Sequence, residues 1–325
     1  MTDDKQPIDV TTAEPVSERR QFFRTALGAA AVTVAGATAL TIGPRAFADT
    51  ANDVDFLNLA LQLKYLEAQF YSFAVTGAGL PAASLAAGSA PTGTNVPGAA
   101  TGARQVTFTD PLVAQYAAEI AQDSAAHVAW LRGELGTMTS AQPAIDLGTT
   151  ATGAFSTAMS AAGVITGAGT TFDPYGTDEN FLLAAFLLAD IGVSALRGAV
   201  GVVVDLGHRE VVEGAMITDA HHAATIRSTL YAKGATTASL RTNADKISNL
   251  RDLLDGLNDD DVGLSPITVG GNLVSTIAPT AADGSLFGRA NGGVLNILFL
   301  NSAQVTKGGF FPNGVNGTVT TSTAN

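Results

Sequence analysis

A chain of 325 residues with 46% hydrophobic side chains carries enough apolar material for one large core or two small ones. Only 14% of its residues are charged, and a net charge of −12 sets it against nucleic-acid backbones and anionic lipid as partners. With no cysteine, it has no disulfide, thiolate nucleophile, iron–sulfur cluster or zinc ribbon.

The N-terminus reads as an address. Ser17-Glu18-Arg19-Arg20-Gln21-Phe22-Phe23-Arg24 is followed by an Ala/Val/Thr/Leu/Gly run from Ala26 to Ile42 and then by Arg45-Ala46-Phe47-Ala48. These are the three regions of a twin-arginine export signal, with Arg19 and Arg20 as the recognised pair and Ala46 and Ala48 as the cleavage signature. The run is too short and too rich in small residues for a spanning helix. Residues 1–48 are expected to be removed, which takes away five basic and five acidic residues and leaves the net charge at −12. The implied partner is the twin-arginine export machinery, and the implied location is the periplasm, the cell surface or beyond, with no stable membrane span after cleavage.

Four long helices follow. Asn52 to Val75 repeats apolar residues at helical spacing and stops at Gly77. Residues 77–104 form a Gly/Ala/Pro/Thr loop that lacks the Gly-Lys-Ser/Thr ending of a phosphate loop. Asp110 and Pro111 open a second helix that runs to about Leu135 and ends at Gly136. Residues 137–177 read as a small, polar connection, long enough to cross to the far end of a bundle. Asp178 is placed as cap of a third helix, Glu179 to about Asp205, with Gly207 separating it from a fourth, His208 to about Lys233. A shorter amphipathic helix fits Ala238–Leu254. Phe181–Leu206 is almost wholly apolar, but Asp190 and Arg197 interrupt it, and it reads as a buried bundle helix rather than a membrane span. The predicted fold is all-α: a four-helix bundle over 49–257 with a long crossover, an extra short helix, and an irregular C-terminal extension over 258–325 that packs on the bundle and ends in a flexible Gly/Asn/Thr surface tail. Apolar residues in that extension suit either packing on the bundle's end or a homo-oligomer.

Continuing the apolar stripes shows where chemistry would sit. Lys64, Ser124, His127, Asp219 and His222 all fall on inward faces and at one level, a predicted buried polar cluster. His208 and His221 lie off the stripes, Glu67 at a stripe's edge and Asp190 on a flank. Ser124, His127 and Asp219 include the residue types of a hydrolase triad, but Ser124 and His127 are one helical turn apart and no nucleophile turn is present.

The elements Leu57-Asn58-x-Ala60-Leu61-x-Leu63-x-Tyr65-Leu66-Glu67-Ala68-x-Phe70-Tyr71, Glu119-Ile120-Ala121-x-Asp123-x-x-x-His127-Val128, Phe181-Leu182-Leu183-x-Ala185-Phe186, His222-Ala223-Ala224-x-Ile226-Arg227 and Gly308-Gly309-Phe310-Phe311-Pro312-Asn313-Gly314-Val315-Asn316-Gly317 resemble the ferritin-like, desiccation-related proteins of bacteria and plants. The resemblance spans 52–317, and the Gly-Gly-Phe-Phe-Pro block is its most specific part. It implies a ferritin-like four-helix bundle, in which di-metal members place one Glu on each of two helices and Glu-x-x-His on the other two. Carried over, those four Glu positions fall on Lys64, Ser124, Ala189 and Asp219, and only His127 and His222 are kept. This implies a degenerate di-metal site with no cofactor and a non-catalytic structural or stress-associated role. The other reading is a metal-dependent oxidase or peroxide-detoxifying protein with one iron, manganese or zinc ion on His127, Asp219 and His222.

Overall fold

The computed structural model describes residues 53–256, 260–281 and 283–325. The export signal over 1–48 and the domain boundary at 257/258 therefore lie outside the described residues.

Helix α1, Asp53–Thr76, ends as the sequence predicts, at Gly77 with φ of 75°, a left-handed turn that glycine adopts without cost. Helix α2, Pro111–Leu135, is capped by the Asp110 carboxylate, which accepts the Leu112 N–H, and stops at Gly136. The Asn58 side chain, near the start of α1, donates to the Met138 carbonyl and accepts from Ser140 N just beyond the end of α2, so the two helices are antiparallel.

The next connection contains an element the sequence reading left as loop: α3, Ala154–Ala161. Six small residues around Phe155 and Met159 carry too little periodicity to be seen, yet both side chains are buried. Two short parallel strands, β1 (Ala100–Thr101) and β2 (Ile145–Asp146), tie this connection to the first loop.

Helix α4, Asp178–Val200, differs from its predicted span at both ends. Its cap is Thr177, whose hydroxyl accepts the Asn180 N–H. Asp178 instead accepts the N–H groups of Thr109 and Asp110 and the Thr109 hydroxyl, pinning the starts of α2 and α4 side by side. Two helices that start together are parallel, so residues 136–177 must return the length of a 25-residue helix, about 37 Å. At the other end the helix breaks at Gly201. Asp205, expected as its last residue, caps α5 (Leu206–Lys233) by accepting from Gly207 and His208 N–H, so Gly207 lies inside the first turn rather than between helices.

Helix α6, Ser239–Asp255, and helix α7, Asn291–Phe299, pack on α4 from outside the bundle, while α1 and α5 cover it from within. This explains its composition: the most apolar 18-residue window of α4 is 89% buried inside the protein. Gly198 makes the covering possible, because a Cβ there would lie 1.9 Å from the Arg289 carbonyl oxygen of the crossing segment. Between α6 and α7 an antiparallel hairpin, β3 (Ile267–Val269) and β4 (Asn272–Val274), stands exposed.

The C-terminal extension uses its apolar residues on the bundle. Phe310 and Phe311 are fully buried, and the Phe310 ring lies 5.0 Å from Phe155, edge to face. The Phe310 N–H donates to the Leu298 carbonyl and its own carbonyl accepts from Asp146 N. The tail, expected at the surface, also contributes buried Asn316 and Ser322. Asn316 donates to the Val96 and Ala141 carbonyls, and Ser322 to those of Ala303 and Val305. Removal of residues 308–325 is expected to lower the melting temperature by several degrees, since two buried aromatics represent a few kcal/mol of apolar surface. Calorimetry of the truncated chain checks this; an unchanged melt contradicts it.

Candidate functional site

Lys64 is completely buried in the middle of the bundle. Its Nζ donates to Glu67 Oε2 at 2.5 Å and to Asp219 Oδ2, joining α1 to α5 across the core. Burial by itself pulls the lysine pKa down, but the Asp219 and Glu67 carboxylates outweigh it and hold the pKa above the usual value, so the ammonium stays charged. Burial pushes Glu67 up to about 7, with the Asp219 charge adding to it and Lys64 opposing.

Two of the five cluster positions read from the sequence, Lys64 and Asp219, form this pair, His127 and His222 adjoin it, and Ser124 is buried with them. His127 Nδ1 is 3.5 Å from Asp219 Oδ1, and His222 Nε2 is 3.0 Å from Asp123 Oδ2. Burial, followed by the Lys64 charge, lowers His127 to about 4, which leaves its imidazole neutral at pH 7. Lys64 reaches Asp219, a fellow member of the predicted cluster, and its second partner is Glu67, which lies outside that cluster. Glu67 is therefore a correction: assigned to the stripe's edge, it is buried and central. The available signal was its spacing, since residues i and i+3 are neighbours on a helix surface.

Glycine completes the centre. A Cβ on Gly192 of α4 would lie 2.4 Å from Glu67 Oε1 and 3.3 Å from Asp219 Oδ2, so a bare backbone there gives the two carboxylates their space. What remains is a void of about 10 Å³ lined by Glu67, Tyr71, Ser124, Ala189, Asp219 and His222. That is room for about one water-sized molecule. The Tyr71 hydroxyl borders it without a hydrogen-bond partner in the protein, and burial, then the Glu67, Asp219 and Asp190 charges, keeps that phenol protonated.

The donor set does not fit the six-ligand, two-metal centre that the resemblance implies. An ammonium occupies the space between the two central carboxylates, and Ser124 and Ala189 supply no anion. Among the described residues, His127, Asp219 and His222 do not bring ligand atoms within 4.8 Å of one another; the group that does is Asp252, Asp255 and Asp261, on and after α6. There, Asp255 pairs with Arg289 and Asp261 with both Arg251 and Arg289.

Asp190, read as lying on a flank, belongs to this second buried network. Its Oδ2 accepts from Arg227 Nη1 at 2.7 Å and Arg251 Nη2 at 2.9 Å. Sequence reasoning missed the three arginines, because a charged residue on a helix reads as solvent-facing by default. His208 and His221 stand away from the centre: His208 Nδ1 is 3.5 Å from Asp53 Oδ2, and His221 is exposed.

The pH dependence follows from two opposed groups. Glu67 has a raised folded pKa, so its stabilisation is complete below its unfolded value near 4.5 and is lost as pH rises through about 7. His127 has a lowered folded pKa, so stability falls as pH drops from 6.5 toward about 4. Over the shared window the two offset each other. Relative to the wild type, His127→Gln is expected to lose stability as pH rises from 4.5 to 7, and Glu67→Gln to lose it as pH falls from 6.5 to 4. Urea unfolding across pH 4–7.5 checks this; profiles parallel to the wild type contradict it.

The family model for the ferritin-like domain matches residues 52–232. The chain therefore belongs to the ferritin-like domain family. It is 28% identical over 228 residues to the desiccation-related protein PCC13-62 of Craterostigma plantagineum, an alignment that spans 66% of each chain, just under two thirds. It is 27% identical over 286 residues to the ferritin-like catalase Nec2 of Nesocodon mauritianus, covering 82% of this chain and 84% of that one. No solved structure matches the chain.

Proposed function

We propose that this chain is an exported, non-catalytic member of the ferritin-like family, a structural or stress-associated component of the periplasm or cell surface whose degenerate metal centre is held by an ion pair. The observation that carries this reading is Lys64, whose buried ammonium bridges Glu67 and Asp219 where the resemblance places metal ligands. Four buried carboxylates without cations would repel one another, so a bundle that dispenses with metals must remove or neutralise that charge. Ser124 and Ala189 remove it, and Lys64 neutralises part of the rest. A relative named for desiccation supports the stress association. The twin-arginine block supports export, and replacing Arg19 and Arg20 by Lys is expected to strand the unprocessed precursor in the cytoplasm.

A second reading has one observation in its favour, the relative named a ferritin-like catalase. It assigns a single iron, manganese or zinc ion to His127, Asp219 and His222, with Glu67 beside them, in a metal-dependent oxidase or peroxide-detoxifying protein. Plasma mass spectrometry and a peroxide-consumption assay on natively exported protein separate the two. The first reading expects substoichiometric metal and no peroxide loss; near-stoichiometric metal with peroxide consumption overturns it.

A further inference from the structure

On the outer side of α4 and α5, away from the central ion pair, the segment after the β3–β4 hairpin covers a cavity of about 100 Å³. Ala220, Ala223 and Ala224 of α5 line it from below. Positions i, i+3 and i+4 share one helix face, so three methyl groups stand where larger apolar side chains would fill the space. Val193 of α4 adds to the helix side, and Ile277 and Phe287 come from the cover. That cover is tied to the helices at both ends. Arg227 of α5 donates to the carbonyls of Thr276 and Ile277. At the far end the Arg289 N–H donates to the Ser194 carbonyl of α4, and the Arg289 guanidinium carbon lies 4.7 Å from the centre of the Phe287 ring. An anchored backbone holds the space open above the alanines.

The surface that faces the space is almost wholly carbon. Asp190, Ser194 and Asp261 border it, yet they expose next to no polar surface there. The two Asp261 oxygens accept from Arg251 and Arg289. The Ser194 hydroxyl donates to the backbone of Asp190 and Ile191 and accepts from Arg289 Nη1. Asp190 Oδ2 is held by Arg227 and Arg251, and its other oxygen is sealed from solvent. A hydroxyl, ammonium or carboxylate placed inside would lose its water and meet no partner. Hydrocarbon alone gains from such a site, since an apolar cavity stays dry and takes an apolar guest.

Size and access narrow the guest further. A cavity of roughly 150 Å³ holds the six carbons of benzene, so one of about 100 Å³ suits about four. Val193 and Ala223 are buried, whereas Ala220, Ala224, Ile277 and Leu286 are half-buried and Ala278 is exposed. The space therefore has a deep end and a rim that meets solvent, and a chain can enter there with its polar head left in water. We propose that this cavity binds a saturated hydrocarbon group of about four carbons, such as the end of an alkyl chain, packed against the alanines of α5. The site is separate from the central ion pair and makes no use of it.

The test is a titration of the chain, labelled with ¹³C at alanine methyls, with ethyl, butyl and hexyl β-D-glucosides, with 3-hydroxypropyl β-D-glucoside and with dissolved n-butane. The glucosides share one neutral head and differ only in the chain. Expected are saturable shifts centred on Ala220, Ala223 and Ala224, with affinity rising about fourfold per methylene from ethyl to butyl, the gain of burying each CH₂. The two further methylenes of the hexyl chain are expected to add less than fourfold together. The hydroxyl-ended chain, equal in length to butyl, is expected to bind at least tenfold more weakly, because its hydroxyl finds no partner. Shifts with both n-butane and butyl glucoside assign the guest as a chain end entering by the rim; shifts with n-butane alone assign the same chemistry to a free hydrocarbon. Ala223→Leu is expected to abolish the shifts while the helical signal is retained. Should that variant fail to fold, the ranking of the probes on the wild type decides. No shift at these methyls with either n-butane or butyl glucoside overturns the proposal, as does equal binding of butyl and ethyl, equal binding of butyl and hydroxypropyl, or a gain that continues undiminished to hexyl.

Discussion

Replacement of Lys64 by Ala is expected to lower the free energy of unfolding by ~3–5 kcal/mol, the cost of removing one partner from a buried ion pair. The wild-type ammonium is wholly buried and meets Glu67 and Asp219, which are nearly as buried. Without it two carboxylates face one another across α1 and α5, next to a neutral His127. Both must then be protonated or hydrated inside a core whose free volume is about 10 Å³. Lys64→Glu is expected to be worse, since it places three acidic groups at the same point. Equilibrium urea unfolding measures both, and a change under ~1 kcal/mol, the cost of an exposed pair, contradicts the assignment.

The second large effect is expected at Arg251. It is fully buried, with Nη2 on Asp190, Nε on Asp261, Nη1 on the Phe186 carbonyl, and its guanidinium carbon 4.9 Å from the centre of the Phe186 ring. Arg251→Leu fills the space with apolar volume but leaves Asp190 to Arg227 and Asp261 to Arg289, one acid in excess. A loss of ~3–5 kcal/mol is expected. Arg104→Ala serves as the comparison. Arg104 and its partner Asp173 have side chains 52% and 36% exposed, so that pair contributes under ~1 kcal/mol. Equal losses from the two variants would mean that the Arg251 network does not brace α4, α6 and the covering segment together.

Helix starts and stops were legible wherever one residue type has one backbone use. Asp110 before Pro111 and glycine at 77 and 136 fixed three helix ends. The junction of α4 and α5 was misread because Gly207 looks like a break, whereas Asp205 acts as a cap and the break comes at Gly201, six residues before Gly207. Inward faces were legible from period alone, and that placed Lys64, His127, Asp219 and His222 together. Period describes where a Cβ points, however, and not where a long side chain ends, so Glu67 was left at the rim. The arginine network was beyond the sequence altogether. Arg227, Arg251 and Arg289 come from three separated segments, and only the packing of α6 and the C-terminal extension on α4 brings them to Asp190 and Asp261.

The measurement that bears most directly on the ion-paired centre is a double-mutant cycle between Lys64→Met and Asp219→Asn, read by urea unfolding at neutral pH. Each single change strands one buried charge, while the double change leaves no charge on either side. If the ammonium and the Asp219 carboxylate hold α1 and α5 together, the double variant will be more stable than the sum of the single losses predicts, with a coupling of about 2–3 kcal/mol. Losses that add to within ~0.5 kcal/mol would contradict the pairing and, with it, the account of this bundle as a ferritin-like scaffold whose centre is closed by a lysine.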